Sequence, residues 1–448
     1  MKLLIYNVTI FTNDGRNSVL QNSAVAIDGS RIKEVGAGAD LKEKYAEYQQ
    51  IDGKSKLLMP GLINVHMHLY STFACGLSLP VKPKNFHEIL SMLWWKLDSA
   101  LDSEAVYYSA LIPAITAVKK GVTSVIDHHA SPNAADGSLD RIEEALSQVG
   151  LRGVLCYEVS DRNGKGTTQE GLWENERYIK KCHSAKAKNI NHLFDAMIGL
   201  HASFTLDDDT LAQAVELSRS LQRGCHIHVL EDGVDGRITR EKYSSGVVER
   251  LEKFGILSDH SIAAHCIHLA EEEKDLLAQT KTMIAHNPQS NMNNAVGRTD
   301  IFGYLKRGAL VGIGTDGMSA DIKPDVHTAI LLHKHDLKDY NTGWNEIQQM
   351  VLKNNPAIFE KVSGQKVGRI EPGYLADLIL VDYFPPTPLT PDNFWGHFLF
   401  GIADAEVDTT IINGKIIMKN RTIPDIDEEE IAEKAKVVAK RIWEKFYS

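Results

Sequence analysis

Residues 60–68 read Pro60-Gly61-Leu62-Ile63-Asn64-Val65-His66-Met67-His68 and place two histidines directly after an apolar, strand-like run. Side chains two residues apart lie on the same face of a strand, so His66 and His68 are predicted to point the same way. Paired imidazoles suit Zn²⁺ or Fe²⁺. The segment therefore predicts a possible metal-binding pair at the carboxyl end of a strand.

Seven further apolar runs alternate with helical patterns along the chain. In order, the eight runs are Leu57–Val65, Val122–Asp127, Leu151–Val159, Phe194–Leu200, Cys225–Leu230, Ser261–His265, Thr282–His286 and Ala309–Thr315. Helical stretches such as Glu104–Lys120 and Asp208–Arg223 lie between them. Eight successive β–α units predict an α/β fold, a (β/α)₈ barrel of the TIM type. An open doubly wound sheet is the alternative, although such a sheet usually has fewer strands.

Both ends of the chain have β character instead. Residues 1–56 contain short alternating runs broken by Asp-Gly turns, and Asn413-Gly414 marks a hairpin near the other end. Glu428–Phe446 has the pattern of an amphipathic helix. We therefore predict three segments: residues 1–56, a barrel over 57–365, and residues 366–448. The two outer segments are expected to form one small β-sandwich domain, followed by the terminal helix.

The overall composition excludes several classes of partner. The chain has 448 residues and a net charge of −10, with no long basic run, so nucleic acid and anionic membranes are not expected partners. No apolar run reaches the length of a membrane span. The five cysteines are scattered and never form a CxxC pair, which favours a reducing, cytoplasmic location.

Residues that commonly bind metals also follow later runs. His228 and Glu231 close the fifth run, His265 closes the sixth, and Asp316 follows the eighth. Barrel enzymes keep their chemistry at the carboxyl ends of the strands. Four strands that each end in such a residue therefore predict one metal site at that end of the barrel.

These motifs together resemble the amidohydrolase superfamily. The similarity rests on the segment from Pro60 to His68, on His228-x-x-Glu231, on His265 and on Gly314-Thr315-Asp316, and it extends over nearly the whole chain, including the tail Gly368–Leu378. More narrowly, the chain is similar to the mononuclear deaminase and chlorohydrolase branch. The segments Ile126–Pro132 and Cys156–Arg162 resemble the aminohydrolases called SsnA.

The resemblance implies a role for each residue of the metal site. His66, His68, His228 and Asp316 would bind one divalent ion, with zinc favoured and iron as the alternative. Glu231 would move protons, Asp316 would also hold the attacking hydroxide, and His265 would steer the hydroxide or polarise the substrate. Binuclear relatives use a carboxylated lysine on the fourth strand. The run Phe194–His201 has no lysine, which favours a single ion.

The resemblance also implies substrate contacts and an activity. His201, after the fourth run, is the first candidate for a substrate contact, and Trp94 and His128 are further candidates. The implied activity is hydrolytic deamination of a nitrogen heterocycle of the purine type by a metal-bound hydroxide. A ring-opening cyclic amidohydrolase of the hydantoinase or dihydropyrimidinase type is one alternative, and a non-catalytic scaffold is another. A homodimer or larger homo-oligomer is also expected from the resemblance.

Overall fold

A computed structural model describes residues 2–448, and its central strands form two parallel sheets. The first sheet contains Leu62–Met67, Val122–His129, Arg152–Tyr157 and Phe194–Ala196. The second contains Ile198–Ala202, Cys225–Val229, Ile262–His265, Met283–His286 and Val311–Ile313. Every residue of these nine strands is buried. Burial on both faces is typical of parallel sheets covered by helices.

Helices connect the strands and pack against them, as Ser138–Val149 does on Arg152–Tyr157. The longer helices are Gly38–Lys44, Trp95–Ala100, Ser103–Lys119, Ser138–Val149, Lys165–Lys188, Asp208–Leu221, Gly233–Tyr243, Val247–Phe254, Glu271–Gln279, Pro288–Asn293, Ile301–Lys306, Lys323–Leu337, Trp344–Gln349, Asn355–Ser363 and Glu428–Tyr447. Shorter helical turns are Leu69–Ala74, Phe86–Ile89, Leu90–Trp94, Ser203–Thr205, Met350–Asn354, Phe394–His397 and Phe398–Ile402. Within residues 2–448, no helix has both the length and the hydropathy to cross a membrane.

The fourth predicted run forms two strands instead of one. Phe194–Ala196 belongs to the first sheet and Ile198–Ala202 to the second. A Cβ on Gly199 would lie 2.3 Å from Tyr157 O. The two backbone segments therefore pass too close to each other for any residue other than glycine at position 199. The side chain of Asn175 accepts from the backbone N–H groups of Tyr157 and Gly199, at 2.9 and 3.3 Å, and donates to Tyr157 O at 2.8 Å. The side-chain amide of Asn175 thus makes the hydrogen bonds that these backbone groups of Tyr157 and Gly199 do not make with each other.

Single parallel bridges connect the edges of the two sheets. Met67 pairs with Asp316, and Val159 pairs with Leu200. The first bridge brings the strand that carries His66 next to the segment that carries Asp316. The carboxyl ends of the strands in both sheets therefore lie around the same region of the fold.

A third sheet combines strands from both ends of the chain. Its eight strands are Lys2–Phe11, Val19–Asp28, Arg31–Ala37, Gln49–Asp52, Leu57–Pro60, Leu378–Val381, Val407–Ile412 and Lys415–Met418. The run Leu57–Val65 was expected to form one barrel strand. Its first four residues instead pair with Lys2–Phe11 and Leu378–Val381, and the chain enters the parallel sheet only at Leu62.

A buried ion pair fastens this third sheet to the parallel strands. Arg152 Nε lies 2.7 Å from Asp377 Oδ2, and Arg152 Nη2 lies 3.1 Å from Asp377 Oδ1. Both side chains are almost completely buried. Gln365 accepts from Arg152, and Asp377 also accepts from the backbone N–H of Asn413 at 2.6 Å. The pair is therefore fully hydrogen-bonded on both sides.

Replacing Arg152 with Met should destabilise the fold strongly, because Asp377 would be left buried without its cation. Losing one partner of a buried ion pair costs about 3–5 kcal/mol. Urea unfolding followed by circular dichroism measures the loss. The control is Arg141→Met, which breaks a partly exposed pair with Glu144 and should cost about 1 kcal/mol or less. Equal losses in the two variants would contradict the proposed importance of the buried pair.

Candidate active site

Three histidines and one aspartate meet at the carboxyl ends of the central strands. His68 Nε2 lies 3.0 Å from Asp316 Oδ1 and 3.2 Å from His228 Nε2. His66 Nε2 lies 3.7 Å from Asp316 Oδ1. The structure therefore gathers all four side chains that the sequence suggested as metal ligands around one point.

The outer nitrogens of the histidines are already engaged. His68 Nδ1 donates to His128 O at 2.6 Å, and His228 Nδ1 donates to His201 O at 2.9 Å. A carbonyl oxygen only accepts, so Nδ1 of each ring carries a hydrogen and Nε2 is the nitrogen that faces the cluster. His66 Nε2 is buried and has no hydrogen-bond partner within residues 2–448. Bare imidazole nitrogens beside a carboxylate fit a divalent ion with nitrogen and oxygen ligands.

Burial and charge set the protonation of this cluster. Burial lowers the pKa of His66 to about 3 and holds the pKa of His228 well below its ordinary value, so both are neutral, as metal ligands must be. Burial also opposes the charge on His68, but the contact with Asp316 outweighs it and raises the pKa of His68 to about 9. An incoming metal ion would displace that proton. Burial would raise the pKa of Asp316, yet His66 and His68 hold it well below the ordinary value.

Backbone geometry fixes the position of Asp316. The N–H groups of Thr315 and Asp316 both donate to His66 O, at 2.9 and 3.0 Å. A Cβ on Gly314 would lie 2.6 Å from the same carbonyl oxygen, so only glycine allows this approach. Asp316 itself has a φ of +54°, in the left-handed region that non-glycine residues rarely adopt. Such strain is typical of functional positions that the surrounding structure holds in place.

Glu231 and His265 lie beside Asp316 in the same cluster. Glu231 Oε2 is 3.5 Å from His265 Nε2, which is 3.8 Å from Asp316 Oδ2. His265 Nδ1 donates to Asn291 Oδ1 at 2.7 Å, which orients the ring. Burial raises the pKa of Glu231 to about 7. A carboxyl group with this pKa can both accept and release a proton near neutral pH.

Two polar contacts made by the segment after the strand Met283–His286 were not anticipated. Asn294 Nδ2 donates to Glu231 Oε1 at 3.3 Å, and Ser290 Oγ donates to Asp316 Oδ2. The adjacent asparagines Asn293-Asn294 were the available signal, because amide side chains at the mouth of a barrel are candidates for contacts within the site. Both contacts orient a carboxylate of the cluster.

A cavity opens above the cluster. Its apolar lining consists mainly of Tyr70, Phe86, Leu90, Trp94, Trp95, Ala202, Phe204, Val234 and Met318. Trp94 and His201, two of the suggested substrate contacts, line this cavity. His128 is fully buried and lies behind the cavity wall, with Nδ1 3.2 Å from Glu158 Oε2.

Glu158 is a cavity residue that the motif analysis missed. It directly follows the strand Arg152–Tyr157, is 5% exposed, and lines the cavity. The same rule that pointed to Asp316, an acidic residue at the carboxyl end of a central strand, could have found it.

Two sets of side chains, which share His228, could each hold a metal ion. Within each set, the candidate ligand atoms lie within 4.8 Å of one another. The sets are His66, His228, His265 and Asp316, and His68, His128, Glu158 and His228. His228 belongs to both sets but has one free nitrogen, because its Nδ1 is bonded to His201 O. His228 can therefore bind one ion only, and the short contacts of His68 favour the position beside Asp316.

Replacing His228 with Ala removes one candidate ligand nitrogen. We expect at least about a 100-fold loss in metal affinity, since even outer contacts of metal ligands contribute 10- to 100-fold. Metal content after dialysis, measured by plasma mass spectrometry, checks this. The matched control is His260→Ala, at an exposed histidine, which should keep the wild-type metal content. A full metal load in the His228 variant would contradict the assignment.

Comparison with known proteins identifies the family of this chain. The amidohydrolase family model matches residues 57–417. The 5-methylthioadenosine/S-adenosylhomocysteine deaminase of Halothermothrix orenii is 31% identical over 451 residues, covering 98% of this chain and 100% of that protein. The 5'-deoxyadenosine deaminase of Methanosarcina mazei is 29% identical and covers 98% of each chain.

Among solved structures, an adenosine deaminase from Xanthomonas campestris with bound zinc aligns with a TM-score of 0.84 at 22% identity and covers 98% of each chain. This likeness concerns the fold, which is an α/β fold of the TIM-barrel type. The family model covers most of the chain, and the Halothermothrix orenii relative covers 98% of it at 31% identity. The predicted membership is therefore confirmed: this chain belongs to the amidohydrolase family.

Proposed function

We propose that this protein is a metal-dependent aminohydrolase that removes an amino group from a nitrogen heterocycle of the purine type. The observation that carries this proposal is the position of Glu231, whose pKa is raised to about 7 by burial, beside a cluster of three histidines and Asp316 in one cavity. Relatives named as deaminases of adenosine-type compounds support the same reaction class.

His66, His68, His228 and Asp316 would hold one zinc ion, with iron as the alternative because imidazole and carboxylate serve both metals. The bound zinc of the Xanthomonas campestris structure supports the choice of zinc. When present, such an ion would lower the pKa of a bound water to about 7 and so make a nucleophile available at neutral pH.

The protein's own groups would then move the protons. Of the two protons of the attacking water, Glu231 would pass one to the ring nitrogen beside the attacked carbon and the other to the amino nitrogen, which leaves as ammonia while the ring carbon becomes a carbonyl. Asn294 holds the other oxygen of Glu231, at 3.3 Å, and keeps the carboxylate turned toward the site. His265, between Glu231 and Asp316, is placed to hold the water or to polarise the substrate.

The apolar wall would hold the ring. Trp94 and Trp95 lie on one segment over the cavity, and Phe204 lines it from the segment after the strand Ile198–Ala202. Flat aromatic side chains favour a flat heterocycle and exclude water from the reacting carbon.

We further propose the finer architecture suggested by the sequence. A closed eight-stranded barrel is supported by the two edge bridges, and a β-sandwich domain by the shared sheet of the chain ends. The division into residues 1–56, 57–365 and 366–448 stays a prediction. A cytoplasmic location is supported by five free cysteines, and a homodimer or larger oligomer stays a prediction from the family resemblance.

Replacing Glu231 with Gln should keep the metal and lower kcat by about 10²- to 10⁴-fold, since the amide cannot transfer the proton. Ammonia release from amino-purines and amino-pyrimidines, together with metal content, gives the measurement. Uric acid and hydantoin rings serve as ring-opening controls, and Glu241→Gln, at an exposed residue, is the control variant. Normal ammonia release by the Glu231 variant would refute its role, and consumption of a ring control without ammonia would favour a ring-opening amidohydrolase.

A further inference from the structure

The carboxylate of Glu158 has few partners for a buried group. Its closest polar neighbour is His128, whose Nδ1 lies 3.2 Å from Oε2. Within residues 2–448, no other side chain or backbone group donates a hydrogen bond to this carboxylate. Since Glu158 lines the cavity, a bound ligand is the group that can complete its hydrogen bonding.

The contacts of His128 define what Glu158 can offer a ligand. His128 Nε2 donates to His226 O at 3.0 Å, because a carbonyl oxygen can only accept. His128 Nδ1 makes no hydrogen bond within residues 2–448, so its 3.2 Å approach to Glu158 Oε2 leaves the carboxylate without a donor. The oxygens of Glu158 are therefore available to accept hydrogen bonds from a ligand.

We propose that Glu158 selects heterocycles whose reacting edge donates hydrogen bonds, with a ring N–H next to the carbon that carries the amino group. This inference rests on the proposed deaminase function. Glu158 lies within 4.8 Å of the candidate ligand nitrogens of His68 and His228, so it can contact the ring atom that adjoins the attacked carbon. A bare ring nitrogen at this position would face an acceptor, and both groups would lose their hydrogen bonds to water without replacement.

The chemical class is therefore the amino-lactam purines, as in guanine and isoguanine. In these rings N1 carries a hydrogen beside the carbon that bears the amino group. Adenine-type rings have a bare nitrogen at N1 and are expected to be the poorer substrates.

Two matched pairs of compounds test this selection. Guanine is compared with 6-O-methylguanine, and isoguanine with 2-methoxyadenine, because each methylation removes the N1 hydrogen and leaves the amino group. In the wild-type protein, we expect kcat/KM for ammonia release to be at least about 10-fold higher for the compound with the N1 hydrogen than for its methylated partner. This applies to whichever of the two pairs the enzyme accepts as substrates, because a hydrogen bond to a charged group contributes about 10- to 150-fold.

The variant Glu158→Gln separates recognition from a structural effect. Glutamine can donate to a bare ring nitrogen, so the ratio within the pair should move toward one, with the N–H compound losing activity and the methylated compound gaining it. The matched control is Glu241→Gln, the same substitution at an exposed residue outside the cavity, where the wild-type ratio should persist.

Three results would overturn the proposal: a wild-type ratio below about threefold, a preference for the methylated member, or an unchanged ratio in the Glu158 variant. Loss of a second equivalent of metal in that variant would assign Glu158 to metal binding instead. If the variant does not fold, the wild-type ratio still decides.

Failure of the deaminase function itself gives a different result. No ammonia would then be released from any of the four compounds, in the wild type as in the variants. Equilibrium binding of the same compounds, followed by the fluorescence of Trp94 and Trp95, still tests Glu158. Binding at least about 10-fold tighter for the N–H members would sustain the inference without turnover, and equal binding would overturn it.

Discussion

The backbone contact at His66 O is the constraint on which the candidate site depends. One carbonyl oxygen accepts from the N–H groups of both Thr315 and Asp316, and the absence of a side chain on Gly314 permits the approach. This contact joins the first and last strands of the parallel sheets at their carboxyl ends. Without it, Asp316 would not reach His68, and the histidines would lack their carboxylate. The strained φ of Asp316 shows that the fold holds this residue in place against its own preference.

Much of this arrangement follows from local sequence rules. The two-residue period of a strand placed His66 and His68 on one face, and the rule that barrel chemistry lies at the strand ends pointed to His228 and Asp316. These inferences needed only the order of runs along the chain. Glu158 obeys the same rule, and it could have been found had every strand end been searched for acidic residues as well as histidines.

Other features depend on contacts between distant segments and could not be predicted. The break between Phe194–Ala196 and Ile198–Ala202 depends on the close approach of Gly199 to Tyr157 and on Asn175 from a preceding helix. An apolar run gives no sign of which partner strand each of its halves will choose. The contact between Asn294 and Glu231 likewise joins residues 63 positions apart. The hydrophobic periodicity of a sequence indicates which residues are buried. The strand break and the contact between Asn294 and Glu231 depend instead on which residues are in contact in the folded chain.

The different protonation of Glu231 and Asp316 follows from their neighbours. Both carboxylates are buried, and burial alone raises the pKa of each. Asp316 contacts two imidazoles, which stabilise its charge and outweigh the cost of burial, so it stays ionised. Glu231 has one imidazole nearby, that of His265 at 3.5 Å, and a hydrogen bond from the neutral amide of Asn294, so burial prevails and raises its pKa to about 7. Two identical functional groups thus become a fixed anion and a proton carrier through their contacts alone. Because the carrier depends on desolvation, the apolar side chains over the cavity contribute to proton transfer as well as to binding of the ring.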